Sequence, residues 1–263
     1  TVLNNMKYTK IVDWLDEDDA EFVYSSLKID NHSIDTKSNL RFWYQHARDN
    51  FNSIDGNIFE FGVFRGTSLI SMAILLKRLG SNKQIYAFDS FKGFPSYSDY
   101  DDFSYFDKLN LDKSLQERIS VLHEIRSSGN IQILDPFNIS VSGDFSDTSK
   151  NAVLKKINYF GLDNINIIEG DFGETVPAFF QSYKKKIFSA NLDCDLYDGY
   201  KTALPYIWDY LSIGGYVHLD EYYSLKFPGA KIACDEFCKL QNIQPLKQGS
   251  VPNNEYERWY LTK

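Results

Sequence analysis

The stretch from Ile58 to Ser90 constrains this chain more than any other. Ile58-Phe59-Glu60-Phe61 is a short apolar strand candidate, and Gly62-Val63-Phe64-Arg65-Gly66 is a glycine-bracketed turn. A helical run follows from Thr67 to Leu79, apolar nearly all round at first, with Lys77 and Arg78 suited to its C-terminus. After Gly80-Ser81-Asn82 a second strand, Gln84 to Phe88, ends on Asp89. Strand, glycine turn, helix, strand, acid is the unit that holds a cofactor above the strand ends in parallel α/β folds.

Gly62 and Gly66 let backbone approach a ligand where a side chain would block it, and the helix after Gly66 points free amides the same way. Asp89 stands 27 residues after Gly62, near the spacing at which a second-strand acid meets ribose hydroxyls. The loop lacks a full G-x-G-x-x-G and a Walker lysine, so a nucleoside without a pyrophosphate fits better than a dinucleotide. On spacing alone an adenosyl-type cofactor competes with a purely structural glycine turn.

The rest of the chain alternates in the same way. Residues 1–57 read as helical, with one helix from about Asn39 to Asn50 capped by Ser38; it covers the cofactor site, contacts a second subunit, or simply packs in the core. From Thr148 the order is helix to Phe160 and Gly161, strand Asn166–Glu169, loop Gly170-Asp171-Phe172-Gly173, and a helix from Thr175 with Pro177 early in it. Then come strand Ile187–Leu192, helix Tyr200–Leu211, a Gly214-Gly215 turn, strand Tyr216–Leu219, and a helix opened by Pro228-Gly229. Two short runs, Ile243–Leu246 and Tyr256–Leu261, close the chain around a hairpin-like turn. The expectation is an α/β protein with a doubly wound, seven-stranded, mostly parallel sheet.

The divisions expected are an N-terminal helical cap or oligomer-contact segment over 1–57 and a cofactor-binding domain over 58–263. Within the latter, 96–143 is too long for an ordinary connection and reads as an inserted substrate lid. Its helical part is expected at Leu115–Ile125, followed by a hydrophobic segment, Ile131–Val141. Tyr97, Tyr100, Phe103, Tyr105 and Phe106 either stack on a ligand or fill a small core of the lobe's own.

Two successive strands end in acids, Asp193-Cys194-Asp195 and Asp220-Glu221. Neighbouring strands lie about 5 Å apart, so Asp193, Asp220 and Glu221 can converge. Unpaired carboxylates at that range repel, and a hard divalent cation resolves the conflict: Mg²⁺ before Mn²⁺ or Ca²⁺, given oxygen ligands alone. The bland alternative is that these acids cap helices or make salt bridges. Asp195 is placed to take a proton from a hydroxyl drawn to such a cation. Of His32, His46, His123 and His218 none has a metal-site partner at i+4, and His218 sits inside a strand.

Composition excludes some classes. With 28 basic and 36 acidic residues the formal net charge is −8, which argues against nucleic acid or an anionic membrane as the main partner. Lys184-Lys185-Lys186 reads as a solvated helix end. Cys194, Cys234 and Cys238 are too few and badly spaced for a disulfide framework or zinc site. No n-region with an apolar h-region and no run of about 18 apolar residues occurs; a cytoplasmic protein without membrane insertion is expected.

Four segments carry a resemblance: Glu60-Phe61-Gly62-Val63-Phe64-Arg65-Gly66; Phe88-Asp89-Ser90-Phe91-Lys92-Gly93-Phe94-Pro95; Gly170-Asp171-Phe172-Gly173-Glu174-Thr175-Val176-Pro177; and Leu192-Asp193-Cys194-Asp195-Leu196-Tyr197 continuing through Gly214-Gly215 to Asp220-Glu221-Tyr222. Over about 55–240 the chain resembles the class I S-adenosylmethionine-dependent methyltransferases, with their Rossmann-like fold, and more closely the macrocin O-methyltransferase family of sugar O-methyltransferases. The resemblance implies that Glu60, Gly62, Val63, Arg65, Gly66, Thr67, Ser68, Asp89 and Ser90 hold S-adenosyl-L-methionine, with Asp89 on the ribose and Asp171 and Phe172 at the adenine end. It implies Mg²⁺ on Asp193, Asp220 and Glu221, with Asp193 and Asp195 as the catalytic pair and Asp195 as general base. It implies a sugar-bearing acceptor and a homo-dimer or higher homo-oligomer. Where this chain has Asp220-Glu221 the family usually has two aspartates. A catechol or phenol acceptor, a nicotinamide oxidoreductase and a non-enzymatic scaffold are the rival readings.

Overall fold

A computed structural model describes residues 40–127, 145–224, 226–248 and 257–263. The expected helix preceding residue 40, the Ser38 cap, the 131–141 segment and most of the terminal turn lie outside them.

The described residues form a seven-stranded sheet in the order β3-β2-β1-β4-β5-β7-β6. The strands are β1 (Asn57–Phe61), β2 (Ile85–Asp89), β3 (Ile165–Glu169), β4 (Ile187–Leu192), β5 (Leu211–Leu219), β6 (Leu246–Lys247) and β7 (Trp259–Thr262). β1 to β5 pair in parallel, while β7 runs antiparallel to β5 and β6. The central strands β1 and β4 are buried along their whole lengths, so they read as continuous apolar runs rather than alternating ones.

Helices cover both faces. α1 (Arg41–Asn50), α2 (Thr67–Arg78) and α4 (Lys150–Phe160) close one core around Ile58, Leu69, Ile70 and Val153. α5 (Phe172–Ser182), α6 (Tyr197–Tyr210) and α7 (Pro228–Gln241) close the other around Phe59, Phe61, Phe88 and Tyr200. α1 lays Trp43, Tyr44 and Ala47 into the first core, and Trp43 Nε1 donates to Ser189 Oγ at 3.0 Å. Within the chain α1 packs into the core; its N-cap is Leu40, with no side-chain cap.

Several boundaries move. α5 begins at Phe172 rather than Thr175, because Asp171 accepts the Gly173 N–H and caps it. α6 begins at Tyr197 rather than Tyr200. Gly214 and Gly215 do not make a turn ahead of the strand: β5 starts at Leu211 and runs through them as an irregularity, with Ile187 facing Leu211 but Ser189 facing Tyr216.

The insertion, as far as it is described, comprises two short 3₁₀ turns, Asp99–Asp101 and Phe103–Lys108, and α3 (Lys113–Ser127). Phe103 and Phe106 bury themselves with Leu111, Leu115, Ile119 and Tyr223. That small core joins the insertion to Tyr223 and Trp259 of the main domain; Tyr100 instead packs against Tyr105 and Tyr197. Asp101 pins the lobe down: it is 3% exposed, and its Oδ1 accepts the Tyr197 N–H at 2.8 Å. Leu196, the N-cap residue of α6, has no side-chain cap bond, so Asp101 caps that helix from the insertion.

Candidate active site

The C-terminal ends of β1, β2, β4 and β5 bring the expected residues to one side of the sheet. Gly62 has φ +96°, and a Cβ there would lie 1.7 Å from the Asp193 carbonyl oxygen. The ends of β1 and β4 thus approach so closely that only glycine fits. Gly66 has φ +81°, with Val153 occupying the space a side chain would need. Both glycines are demanded by the chain's own packing.

Asp89 ties this loop together. Its Oδ2 accepts the N–H groups of Val63 at 2.7 Å and Phe64 at 2.8 Å, and its Oδ1 accepts that of Phe91 at 2.7 Å. A carboxylate has about four acceptor positions, so these three bonds leave Asp89 room for about one further donor. α2 starts at Thr67 with no side-chain cap at Gly66, so no side chain at that position satisfies its first amides. The Glu60 carboxylate is buried and accepts from the Ser68 hydroxyl and from Asn191 Nδ2.

Other expected residues turn elsewhere. The Arg65 side chain pairs with Asp147 and lies over the Phe64 ring. Ser90 Oγ closes its own turn, donating to the Gly93 carbonyl and accepting the Lys92 N–H. Asp171 is engaged as the α5 cap, and Phe172 is half-buried edge-on to Phe61.

The acids converge, though not in the expected set. Carboxylate oxygens of Asp193, Asp195 and Glu221 all lie within 4.8 Å of one another. Asp220, expected among the metal ligands, instead sits 3.3 Å from His218 Nε2. Asp195 reaches the cluster through a strained bend: its φ is +62°, and the Leu196 N–H donates to the Cys194 carbonyl at 2.6 Å across it. Among the described residues no lysine or arginine forms an ion pair with Asp193, Asp195 or Glu221.

Electrostatics follow from that crowding. Burial first, then the neighbouring Asp220, pushes the Asp195 carboxyl up to about 7. Burial and Asp220 raise Asp193, and burial and Asp195 raise Glu221. Asp220 goes the other way: burial opposes its ionisation, but the His218 hydrogen bond and charge, with Arg258, hold it below the usual carboxylate range. Three carboxyls that resist ionising together, with oxygen as their only donor atom, fit a hard divalent cation.

Residues 40–248 match the model of the macrocin O-methyltransferase (TylF) family. The chain belongs to the macrocin O-methyltransferase family. Among curated relatives it is 25% identical over 174 residues to the 8-demethyl-8-(2,3-dimethoxy-alpha-L-rhamnosyl)-tetracenomycin-C 4'-O-methyltransferase of Streptomyces olivaceus. That match covers 65% of this chain and 54% of the relative, so the chain spans about half the length of the protein it matches. Among solved structures, the O-methyltransferase NovP superposes with a TM-score of 0.57 at 17% identity, covering 94% of this chain and 99% of NovP. The calicheamicin methyltransferase CalS11 also gives 0.57, at 23% identity, covering 92% and 91%. Both likenesses are of fold, and they agree with the seven-stranded sheet. No helix among the described residues is long and apolar enough to cross a membrane.

One residue at the site is read from the sequence only as the start of a helix. Tyr200 is fully buried in α6, yet its hydroxyl sits in the acid cluster and donates toward Glu221 Oε2 at 2.8 Å. The signal was its place in the buried stripe Tyr197, Tyr200, Ala203, Leu204, Ile207, since a tyrosine in such a stripe needs a polar partner.

Proposed function

We propose that this protein transfers a methyl group from S-adenosyl-L-methionine to a hydroxyl of a sugar carried on a glycoside, nucleotide sugar or glycan precursor, with a divalent cation, Mg²⁺, as auxiliary. The observation that carries the reading is the cluster of half-buried Asp193 and Asp195 with buried Glu221 at the strand ends beside the Gly62 loop, none of which forms an ion pair with a lysine or arginine among the described residues. Family membership supports a methyl donor, and the Streptomyces olivaceus relative, a rhamnosyl 4'-O-methyltransferase by name, supports a sugar acceptor.

The residues that would hold the donor are the loop from Gly62 to Gly66 with the first amides of α2 at Thr67 and Ser68, Glu60 beneath them, Asp89 toward the ribose with Ser90 beside it, and Asp171 and Phe172 at the adenine end. The donor supplies an electrophilic methyl group. Asp193 and Glu221 are the central cation ligands, with Asp220 one residue away and oriented by His218. When bound there, a cation would supply Lewis acidity toward an acceptor hydroxyl. Asp195, held in the same cluster, accepts the hydroxyl proton on its carboxylate, which is general base catalysis. The fixed strand ends contribute orientation without reorganisation during the reaction.

The test is methyl transfer from labelled S-adenosylmethionine across a panel of glycosides and nucleotide sugars, with Mg²⁺ or excess EDTA. Asp193→Ala should lose cation-dependent turnover, by roughly a hundredfold or more, while the affinity for S-adenosylmethionine measured by calorimetry stays near wild type. Undiminished turnover in EDTA would remove the cation from the mechanism, and transfer to catechols alone would replace the acceptor class.

A further inference from the structure

The two strands that carry the acids are joined by one hydroxyl. Tyr200, from α6, is fully buried. Its Oη lies 3.0 Å from the Leu192 carbonyl, the last residue of β4 and the one before Asp193. The same oxygen lies 2.8 Å from Glu221 Oε2 and accepts the Glu221 N–H at 3.1 Å. Two bonds to one residue, one to its backbone and one to its carboxylate, fix both where Glu221 starts and where its side chain ends.

A glutamate has one more rotatable bond than an aspartate, and ordering it costs free energy that a preset rotamer removes. With an ionised Glu221 the phenol proton goes to the carboxylate, because a charge-assisted bond is the stronger of the two on offer. A carboxylate has about four acceptor positions, so this bond leaves Glu221 able to serve the cluster it shares with Asp193 and Asp195.

We propose that Tyr200 is a positioning residue that presets the Glu221 carboxylate for a divalent cation, so that a glutamate can serve at 221. The proposal rests on the cation reading of the acid cluster above. Tyr200 does not itself touch the cation; it acts through Glu221.

The experiment is Mn²⁺ binding to the full chain by calorimetry and electron paramagnetic resonance, in the wild type, Tyr200→Phe, Glu221→Asp and the double variant. Hydrogen bonds to charged groups are strong enough for Tyr200→Phe to weaken Mn²⁺ binding roughly tenfold or more. S-adenosylmethionine binding should stay within about twofold, since a difference that small is near the limit of an indirect effect. On the Glu221→Asp background, where the carboxylate is a methylene short of the phenol, the same change should cost less than about threefold, as expected once the pair no longer couples. Wild-type Mn²⁺ affinity in Tyr200→Phe, or an equal loss in both backgrounds, overturns the proposal. If Tyr200→Phe does not fold, Glu221→Asp alone decides: it should bind Mn²⁺ more weakly than wild type, and undiminished affinity would show that the glutamate and its tyrosine are not needed. Absence of Mn²⁺ binding in the wild type would instead defeat the cation reading itself.

Discussion

At the scale of single residues the site is governed by how closely two strand ends approach. Gly62 is the sharpest case. A methyl group there would meet the Asp193 carbonyl at 1.7 Å, in a backbone conformation of φ +96° that side chains rarely adopt. Gly62→Ala must therefore push β1 and β4 apart where the acids converge. We expect a loss of several kcal/mol, at the upper end of single substitutions, read as a lowered denaturation midpoint in urea. A variant within about 0.5 kcal/mol of wild type, the usual range for an unremarkable surface change, would show that the contact relaxes freely. The sequence exposed Gly62 as special but not the reason, because the clash partner is 131 residues away, on Asp193. It exposed the four acids as well, yet not that Asp220 would turn to His218 and leave Asp195 to close the trio. Side-chain direction at a strand end depends on neighbours that periodicity does not name.

At the scale of elements, what was legible is what is encoded locally. β4 matches its expected span, Ile187–Leu192, because an unbroken buried run ends in an acid. α4 stops at Gly161, whose φ of +60° is the left-handed C-terminal cap expected of glycine. α6 was misplaced by three residues because its cap comes from Asp101, in the insertion. α1 carries a titration that stability measurements can read. His46 is stacked between Phe188 and Tyr216, and burial pulls its pKa down from 6.5 to about 4. The folded protein therefore keeps His46 neutral while the unfolded chain protonates it below about pH 6.5. Between those values the unfolded state binds more protons, so stability falls as the pH is lowered, by about 2 kcal/mol from this group. The His46 contribution is read by difference: the stability of wild type relative to His46→Phe should fall as the pH goes from 7 to 4.5, against the opposite trend set by the raised carboxyls of Asp193, Asp195 and Glu221. An unchanged slope in His46→Phe would assign the pH dependence to other groups.

Across the whole molecule the sheet gathers negative charge at one end of a chain already at −8. Folding places Asp193, Asp195 and Glu221 side by side, with burial and mutual repulsion opposing their ionisation. A cation that binds only this folded arrangement must stabilise it by mass action, by about 2.7 kcal/mol at a hundred times its dissociation constant. For a chain of this size that is a rise of roughly 5–10 °C in Tm. We expect MgCl₂ to raise Tm by that amount while NaCl or KCl at matched ionic strength does not. Asp193→Ala should be insensitive to Mg²⁺, and it should sit above the cation-free wild type, because one of three repelling carboxylates is gone. A change confined to one surface ion pair would move Tm far less, since exposed pairs contribute about 0–1 kcal/mol. Equal responses to Mg²⁺ in wild type and Asp193→Ala would place the ion elsewhere on the acidic surface. No response in either would return the three acids to a structural role, held apart by protonation rather than joined by a metal.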